Sequence, residues 1–261
     1  MYSETTFDYI IVGAGSAGCV LANRLSASGR HSVLLIEAGG SDLTPYVQLP
    51  LGYGKTYYDK RVNWKYLTEP VQQLDNRPSY WPRGKVLGGS SSINAMVYVR
   101  GHQSDYDEWQ AVAPGWGWSD VEPLFKRMES WRGEADPRRG VSGPLAVTDI
   151  SDMAHPLCTA FMDAATQLQI PFNSDYNAGN MEGVSHYQIT TDKGLRVSSA
   201  RAYLRPVLSR SNLTLLTRAQ VRRIVLRNKR ATGIEYKRCG RVHVAHARAE
   251  VIVSAGAVNS P

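Results

Sequence analysis

The feature that most constrains this chain is a glycine-rich turn between an apolar stretch and a helical pattern near the N-terminus. Residues 8–12 are mostly apolar and β-branched, which is typical of a buried parallel strand. The turn occupies residues 13–18, and residues 17–25 carry apolar side chains at helical spacing. A second apolar stretch, residues 33–36, ends at the acid Glu37. The pattern predicts a strand, a tight turn, a helix and a second parallel strand.

Each part of this pattern suits the binding of a dinucleotide. Gly13 allows the tight turn, Gly15 lets the backbone approach a pyrophosphate, and Gly18 lets the helix pack closely on its strand. Free N–H groups at the start of the helix then face the phosphates. Glu37 is placed to accept hydrogen bonds from the adenosine ribose, and its charge disfavours the 2′-phosphate of NADP. We therefore predict a dinucleotide site.

Length and composition are ordinary for a globular chain: 261 residues, of which 43% are hydrophobic and 20% charged. No apolar stretch reaches membrane-spanning length, and the first strand begins too close to Met1 for a signal peptide. Three scattered cysteines fit a reducing compartment and have no metal-ligand spacing. We expect a cytoplasmic protein without a metal site, and leave peripheral association with a membrane open.

The positive charge is concentrated in the last third of the chain. Residues 193–248 hold 15 lysines and arginines and a single acid, Glu235. A nucleic-acid surface is one interpretation, but no interleaved aromatic residues or helix-turn-helix pattern accompany the charge. The other interpretations are a solvated face and a surface that meets acidic protein. We predict no nucleic-acid partner and leave the oligomeric state open.

After Glu37 the pattern departs from that of a nicotinamide-dependent dehydrogenase, in which strands and helices would keep alternating. Residues 41–83 are rich in Pro, Gly, Tyr and Trp and have little periodicity. A long irregular segment in a compact domain usually has a function, so we expect it to wrap a large ligand. Trp64 and Tyr66 supply aromatic surface to that ligand in one interpretation and pack in the core in the other.

A second glycine-rich turn follows at residues 88–92, and the apolar stretch 93–99 after it predicts a helix capped by Ser90 or Ser91. Free N–H groups there would stabilise the electron-rich edge of a flavin. The two turns lie about seventy residues apart in the sequence. A cofactor with a nucleotide at one end and a flavin at the other accounts for both.

The rest of the chain mixes helical and strand patterns. Apolar residues at helical spacing predict helices at residues 120–130, 155–169 and 198–208. In the first of these we expect Val121, Leu124 and Met128 to face inward. The predicted strands are residues 144–150, 187–191, 213–217, 221–226, 233–237 and 249–253. The last strand runs directly into a glycine turn, whereas a parallel strand normally feeds a crossover, so we expect a longer parent protein.

These motifs identify a family resemblance. Residues 84–107 resemble the first signature of the glucose–methanol–choline (GMC) flavoprotein oxidoreductases, and residues 256–261 resemble the opening of the second. The first turn and the sequence EAGG at residues 37–40 also fit. The resemblance spans the whole chain, and the members closest in character are choline dehydrogenase-like and alcohol dehydrogenase-like enzymes.

The resemblance implies an α/β fold, α+β overall. It has a Rossmann-like FAD-binding domain, into which a smaller sheet-based substrate domain is inserted, and it is truncated at the C-terminus. We place the FAD-binding domain at residues 1–141 and 195–261, with the second part incomplete. The start of the substrate-binding domain then occupies residues 142–194.

The pattern and the resemblance together give a set of cofactor-binding residues. In the family, positions matching Ser16, Ala17 and Glu37 contact the ADP half of FAD, Val221 meets the adenine, and Ser90 with residues 94–97 lies at the pyrophosphate and flavin end. The full set is Gly13, Gly15, Ser16, Ala17, Gly18, Glu37, Ala38, Trp64, Arg83, Gly88, Gly89, Ser90, Asn94, Ala95, Met96, Val97, Val221 and Ala255.

Two departures from the family pattern qualify this set. Ile93 stands where members with covalently attached flavin have histidine, so the resemblance implies non-covalent FAD. The family's catalytic histidine lies in a C-terminal half that this chain lacks. We expect none of the six histidines present to replace it.

The resemblance implies that the parent enzyme oxidises a primary alcohol, choline-like or alkanol, to the aldehyde by hydride transfer to flavin N5. A quinone-type acceptor or O₂ would reoxidise the flavin. Two alternatives are an FAD-binding fragment without turnover and a nicotinamide-dependent dehydrogenase. The second does not explain residues 84–107.

Overall fold

The structure is a computed structural model that describes residues 5–261. The described chain divides into two compact units, which are considered separately. The first comprises the chain up to Ala95 together with Ser198–Pro261, and the second comprises Met96–Val197. The second unit therefore begins well before residue 142, where we placed the start of the substrate domain.

The strands and helices are numbered in chain order. The strands are β1 Thr5–Val12, β2 Val33–Ile36, β3 Tyr66–Leu67, β4 Tyr80–Trp81, β5 Glu129–Trp131, β6 Leu145–Asp149, β7 Gln188–Ile189, β8 Thr191–Asp192, β9 Leu195–Arg196, β10 Leu213–Leu216, β11 Ala219–Arg227, β12 Arg230–Arg238 and β13 Arg241–Val253. The α-helices are α1 Ser16–Leu25, α2 Pro45–Gln48, α3 Tyr53–Thr56, α4 Gln103–Val112, α5 Trp118–Met128, α6 Pro156–Gln167 and α7 Gly256–Asn259.

The main sheet of the first unit has the strand order β10–β2–β1–β13–β12–β11. Strands β10, β2, β1 and β13 run parallel to one another. Strands β13, β12 and β11 form an antiparallel meander. Ile10 of β1 pairs with Leu34 of β2 on one side and with Val251 of β13 on the other. Ile10 and Leu34 are fully buried, as expected for parallel strands that are covered on both faces. This arrangement brings the carboxyl ends of β1, β2 and β13 together.

The second unit is built around the small sheet β5–β6–β7 and a core of Tyr98, Trp131 and Val147. Its first residues join this unit because they pair with its later segments. The N–H of Tyr98 donates to the carbonyl of Gln188 at 2.9 Å, and the N–H of Arg100 donates to Asn177 Oδ1 at 2.8 Å. Backbone pairing therefore decides the boundary.

A buried ion cluster lies in the second unit. Glu129 accepts hydrogen bonds from the guanidinium groups of Arg100 and Arg139, and all three side chains are buried. Arg139 also contacts Asp175 at 2.7 Å, and the N–H of Gly140 donates to Glu129 Oε2 at 3.0 Å. Because each buried charge is paired, the cluster avoids the cost of an isolated buried ion.

Helix α1 and strands β1, β2, β6 and β10 confirm the sequence predictions. The helix predicted for residues 93–99 is wrong. A short 3₁₀ turn covers residues 89–92 and ends before the predicted segment. The N–H groups of Ile93 and Asn94 both donate to the carbonyl of Ser90. Met96 then has a φ of +64°, and Val97 bridges to Ile189, so the chain leaves the turn extended.

Other differences concern length and exposure. Strand β13 is 13 residues long, because its first half pairs with β12 before its second half pairs with β1. The segment 198–208 forms a π turn and a 3₁₀ turn in place of an α-helix. Leu124 of α5 is exposed, against our prediction that it faces inward, and so is Phe161 of α6. Among the described residues, no helix is long and apolar enough to cross a membrane.

Candidate functional site: a cleft at the carboxyl ends of the parallel strands

A cleft of about 770 Å³ opens in the first unit where β1, β2 and β13 end. Residues of β11, of the irregular segment after β2 and of α7 complete its walls. Open parallel sheets bind their ligands at this edge. The predicted residues that line the cleft are Gly13, Gly15, Ser16, Ala17, Glu37, Ala38, Trp64, Arg83, Gly89, Ser90, Val221 and Ala255.

The first glycine-rich turn has the conformation that its sequence requires. Gly13 has a φ of +98°, and a Cβ atom added to it would lie 2.6 Å from the carbonyl oxygen of Ser254. A Cβ atom added to Gly18 would lie 1.9 Å from the carbonyl oxygen of Gly13, so α1 packs directly on the turn. Within the described part of the chain, no side chain caps the start of α1. The first N–H groups of this helix are therefore available to a ligand.

The two glycine-rich turns lie side by side. The N–H of Gly88 donates to the carbonyl of Ala14 at 2.8 Å, and a Cβ atom added to Gly89 would lie 2.8 Å from the Cα of Gly15. The turns form one continuous surface of backbone on the cleft wall, since both contacting positions are glycine. The prediction that they serve the nucleotide end and the flavin end of one cofactor stays a prediction.

Glu37 follows β2 directly and lines the cleft, although its side chain is buried. Its carboxylate accepts hydrogen bonds from the N–H groups of Ala14 and Gly39, at 2.9 and 2.8 Å. Burial raises the pKa of this carboxyl, while the two N–H donors and the charge of Lys85 act in the opposite direction. Glu37 thus joins the end of β2 to the first turn, and its remaining lone pairs can accept hydrogen bonds from a ligand.

Aromatic side chains form another wall of the cleft. The rings of Trp64 and Tyr66 stack with centroids 6.0 Å apart, and Lys85 Nζ lies 4.4 Å from the centre of the Trp64 ring. The hydroxyl of Tyr66 donates to Asn259 Oδ1 at 2.8 Å. Trp64, which the sequence left open between ligand surface and core, is half-buried and lines the cleft.

Six predicted site residues do not line the cleft. Gly18 and Gly88 are buried behind it and support the two turns. Asn94 and Ala95 are exposed in the first unit, where the predicted helix does not form. Met96 and Val97 belong to the second unit.

Sequence reasoning missed several cleft residues. The polar and charged residues among them that come from β11 and from the end of the chain include Gln220, Arg222, Arg223, Ser254 and Asn259. Gln220, Arg222 and Arg223 could have been predicted, because they are neighbours of the predicted residue Val221 in the sequence. Asn259 lies within the segment 256–261 that resembles the second signature, and Ser254 lies two residues before that segment. No histidine is among the described residues that line the cleft, and the described residues hold no group of metal-ligating side chains.

A glycine-rich turn between a parallel strand and a helix, with an acid at the end of the next strand, defines a Rossmann-like nucleotide-binding protein. Comparison with known proteins narrows this class. The chain belongs to the GMC oxidoreductase family, whose model matches residues 7–261. The family resemblance and the α/β fold expected from the sequence are thereby confirmed. GMC oxidoreductases are FAD-binding flavoproteins.

Three similar proteins illustrate the relationship. The chain is 48% identical to an oxygen-dependent choline dehydrogenase of Photobacterium profundum, covering 99% of this chain and 46% of that protein. It is 46% identical to an alcohol dehydrogenase [acceptor] of Pseudomonas putida, covering 98% and 47%. The crystal structure of pyridoxine 4-oxidase from Mesorbium loti has a TM-score of 0.92 at 35% identity, covering 97% and 50%. The chain thus spans about half the length of the curated relatives it matches.

Proposed function

We propose that this chain forms the FAD-binding part of an oxidoreductase that oxidises a primary alcohol, choline-like or alkanol, to the aldehyde. The observation that carries the proposal is the contact of the two glycine-rich turns at the uncapped start of α1, beside Glu37. A nicotinamide-dependent dehydrogenase needs only the first of these turns.

The residues present fit FAD. The surface formed by Gly15 and Gly89 has no side chains, so a pyrophosphate can approach the backbone closely. The start of α1 offers N–H groups and the positive end of the helix dipole to the phosphates. Glu37 would accept hydrogen bonds from the adenosine ribose, and the backbone of Val221 would meet the adenine. Trp64 would supply aromatic surface to the cofactor.

When bound, FAD supplies the hydride acceptor for alcohol oxidation. The contribution of this chain is to bind and orient the cofactor. The N–H groups of α1 would hold the phosphates, and the second turn, fixed to the first by the hydrogen bond from Gly88 to Ala14, would place Ser90 beside the cofactor. The proposed cofactor cleft lies in the first unit, and the predicted start of the substrate-binding domain, residues 142–194, lies within the second.

We propose that FAD is bound without a covalent link. Ile93 stands where covalent members of the family have histidine, and its side chain has no nucleophile. It is 6% exposed and packs in an apolar cluster with Val47, Val62 and Val86. Burial in this cluster gives Ile93 a packing role in place of a chemical one.

The names of the relatives support an alcohol substrate, since choline and pyridoxine both carry a primary hydroxyl group. A quinone-type acceptor or O₂ reoxidises the cofactor, and the words "oxygen-dependent" and "[acceptor]" in two of the names are compatible with either. The location is cytoplasmic, with peripheral association with a membrane as the alternative.

A second candidate is an FAD-binding chain without turnover. Two observations favour it for the 261 residues alone: the chain spans about half the length of its relatives, and no histidine lies among the described residues of the cleft. A catalytic base must reach the substrate hydroxyl next to the flavin, and histidine serves most often.

The experiment that tests the proposal is the absorbance spectrum of the purified chain before and after acid precipitation. We expect flavin bands that move to the supernatant, where mass spectrometry identifies FAD. Flavin that stays in the pellet would contradict non-covalent binding. If neither this chain nor the full-length protein carries flavin, the cofactor assignment is wrong. Anaerobic bleaching of the flavin by a primary alcohol then separates turnover from binding alone.

A further inference from the structure

Ser254 follows β13 and contacts the first glycine-rich turn through both its backbone and its side chain. Its N–H donates to the carbonyl of Val12 at 2.8 Å. Its hydroxyl oxygen lies 2.9 Å from the carbonyl oxygen of Gly13 and 3.0 Å from that of Val12, so one proton is shared between two acceptors. The two partners lie more than 240 residues before Ser254 in the chain.

The space around the turn is filled by the same residue. A Cβ atom on Gly13 would meet the carbonyl oxygen of Ser254, and one on Gly18 would lie 2.9 Å from the Ser254 hydroxyl oxygen. Ser254 therefore occupies the volume that the glycines leave open on the side of β13. The hydroxyl also gives the Gly13 carbonyl a partner at a point where the strand pairing ends.

We propose that Ser254 is a positioning residue for pyrophosphate binding. This inference rests on the proposed function and extends it. Ser254 holds the carbonyl groups of Val12 and Gly13 and so fixes the turn that leads into α1, whose first residues, Ser16 and Ala17, line the cleft. The glycine-rich turn and the end of β13 then form a single phosphate-binding element, although they come from opposite ends of the chain.

The test compares ligands with and without phosphates. The probes are ADP and adenosine, each measured by displacement of FAD from the wild-type protein and from Ser254→Ala. We expect ADP to bind about fivefold more weakly to the variant, because the turn is no longer held in the conformation that presents the N–H groups of α1 to the phosphates. Adenosine, which has no phosphates, should bind equally to both proteins. A loss of affinity that is equal for ADP and adenosine would overturn the inference.

Ser26→Ala is the matched control. Ser26 is a buried serine at the other end of α1, and its hydroxyl donates to the carbonyl of Ala22 at 2.6 Å. We expect this variant to lose thermal stability but to keep the wild-type affinity for ADP. Unchanged ADP affinity in Ser254→Ala would overturn the role of Ser254 while leaving FAD binding intact. A wild-type protein that binds neither FAD nor ADP would overturn the proposed function and this inference with it.

Discussion

At the scale of single residues, the two glutamates that are buried among residues 5–261 form hydrogen bonds with different kinds of partner. Glu37 in the first unit accepts two backbone N–H groups, and Glu129 in the second lies between two guanidinium groups. Only the second is neutralised by direct ion pairs. Glu37 therefore bears more of the cost of burial, which agrees with its raised pKa.

Replacing Gly13 with alanine should remove FAD binding and destabilise the first unit. The variant must hold alanine at a φ of +98° and also place a Cβ atom 2.6 Å from the carbonyl oxygen of Ser254. Strain of this kind costs about 1–3 kcal/mol, before the clash is included. Gly29→Ala is the control, since Gly29 has a φ of +72° with nothing within 4 Å of the added atom. Urea unfolding and flavin absorbance measure both variants, and equal losses would contradict the role of the clash.

The raised pKa of Glu37 predicts a dependence of stability on pH. The unfolded chain ionises at the ordinary glutamate pKa, whereas the folded protein keeps Glu37 protonated to higher pH. The folded state therefore binds more protons, and stability falls as pH rises from about 4.3 through the folded pKa. Glu37→Gln imitates the protonated form and should lose this dependence.

Thermal melts of the wild type and of Glu37→Gln between about pH 4 and pH 8 test this prediction. We expect the wild type to lose stability relative to the variant as pH rises. Glu182→Gln, at an exposed position, is the control and should follow the wild type. The opposite sign of the difference would mean that the hydrogen bonds from Ala14 and Gly39 outweigh burial.

At the scale of elements, each unit depends on a contact between segments that are distant in sequence. In the first unit, β13 lies between β1 and β12 and carries Ser254 to the glycine-rich turn. In the second unit, the ion cluster joins β5 to the loops that hold Arg100, Arg139 and Asp175. Helix α6 differs, because about 70% of the surface of its residues Leu157 and Phe161 is exposed. Its apolar residues recur at helical spacing, but Met162 is the one residue of this helix that is buried among the described residues.

Replacing Glu129 with glutamine should strongly destabilise the second unit. The change leaves the buried guanidinium group of Arg100 without its charged partner and removes one of the two carboxylates, Glu129 and Asp175, that pair with Arg139; breaking a buried pair typically costs about 3–5 kcal/mol. Urea denaturation followed by circular dichroism measures the free energy of unfolding. Glu134→Gln, at an exposed position on the following loop, should change it by less than about 0.5 kcal/mol. A loss below about 1 kcal/mol in Glu129→Gln would contradict the importance of the cluster.

At the scale of the whole molecule, the net charge of +7 combines the segment from Lys193 to Arg248, which has 15 lysines and arginines and one acid, with a remainder that is net negative. Part of that charge lies at the cleft, where Arg222 and Arg223 contact Glu235 at 3.2 and 2.8 Å. A positive cleft attracts a doubly charged pyrophosphate. Arg222 and Arg223 are the two of these 15 basic residues that line the cleft among the described residues, so dinucleotide binding accounts for only a small part of the basic segment.

The whole chain should discriminate FAD from NAD⁺. Both carry an ADP group, but only a flavin dinucleotide accounts for the second turn and the aromatic wall. We expect FAD to raise the thermal melting temperature, by an amount that corresponds to about 2.7 kcal/mol at a hundred times its dissociation constant. NAD⁺ at the same concentration should raise it less. A larger rise with NAD⁺ would support the nicotinamide alternative.

The sequence by itself determined the local parts of the site. The positions of β1, α1 and Glu37 follow from apolar periodicity and glycine spacing, because these patterns act within a few residues. The GMC signatures identified the family for the same reason, since each is a contiguous stretch. The helix predicted for residues 93–99 does not form, because Met96 has a positive φ and Val97 pairs with Ile189 in the second unit. This tertiary pairing outweighs the local helix preference.

Only the tertiary structure decided which distant segments meet. Gly15 and Gly89, which are in contact, are 74 positions apart. The hydrogen bond from Ser254 to Gly13 spans 241 positions, and the one from Tyr66 to Asn259 spans 193. Such contacts depend on strand order and register, which no local pattern encodes. The turns could be predicted, whereas their meeting on one wall of the cleft is a property of the folded sheet.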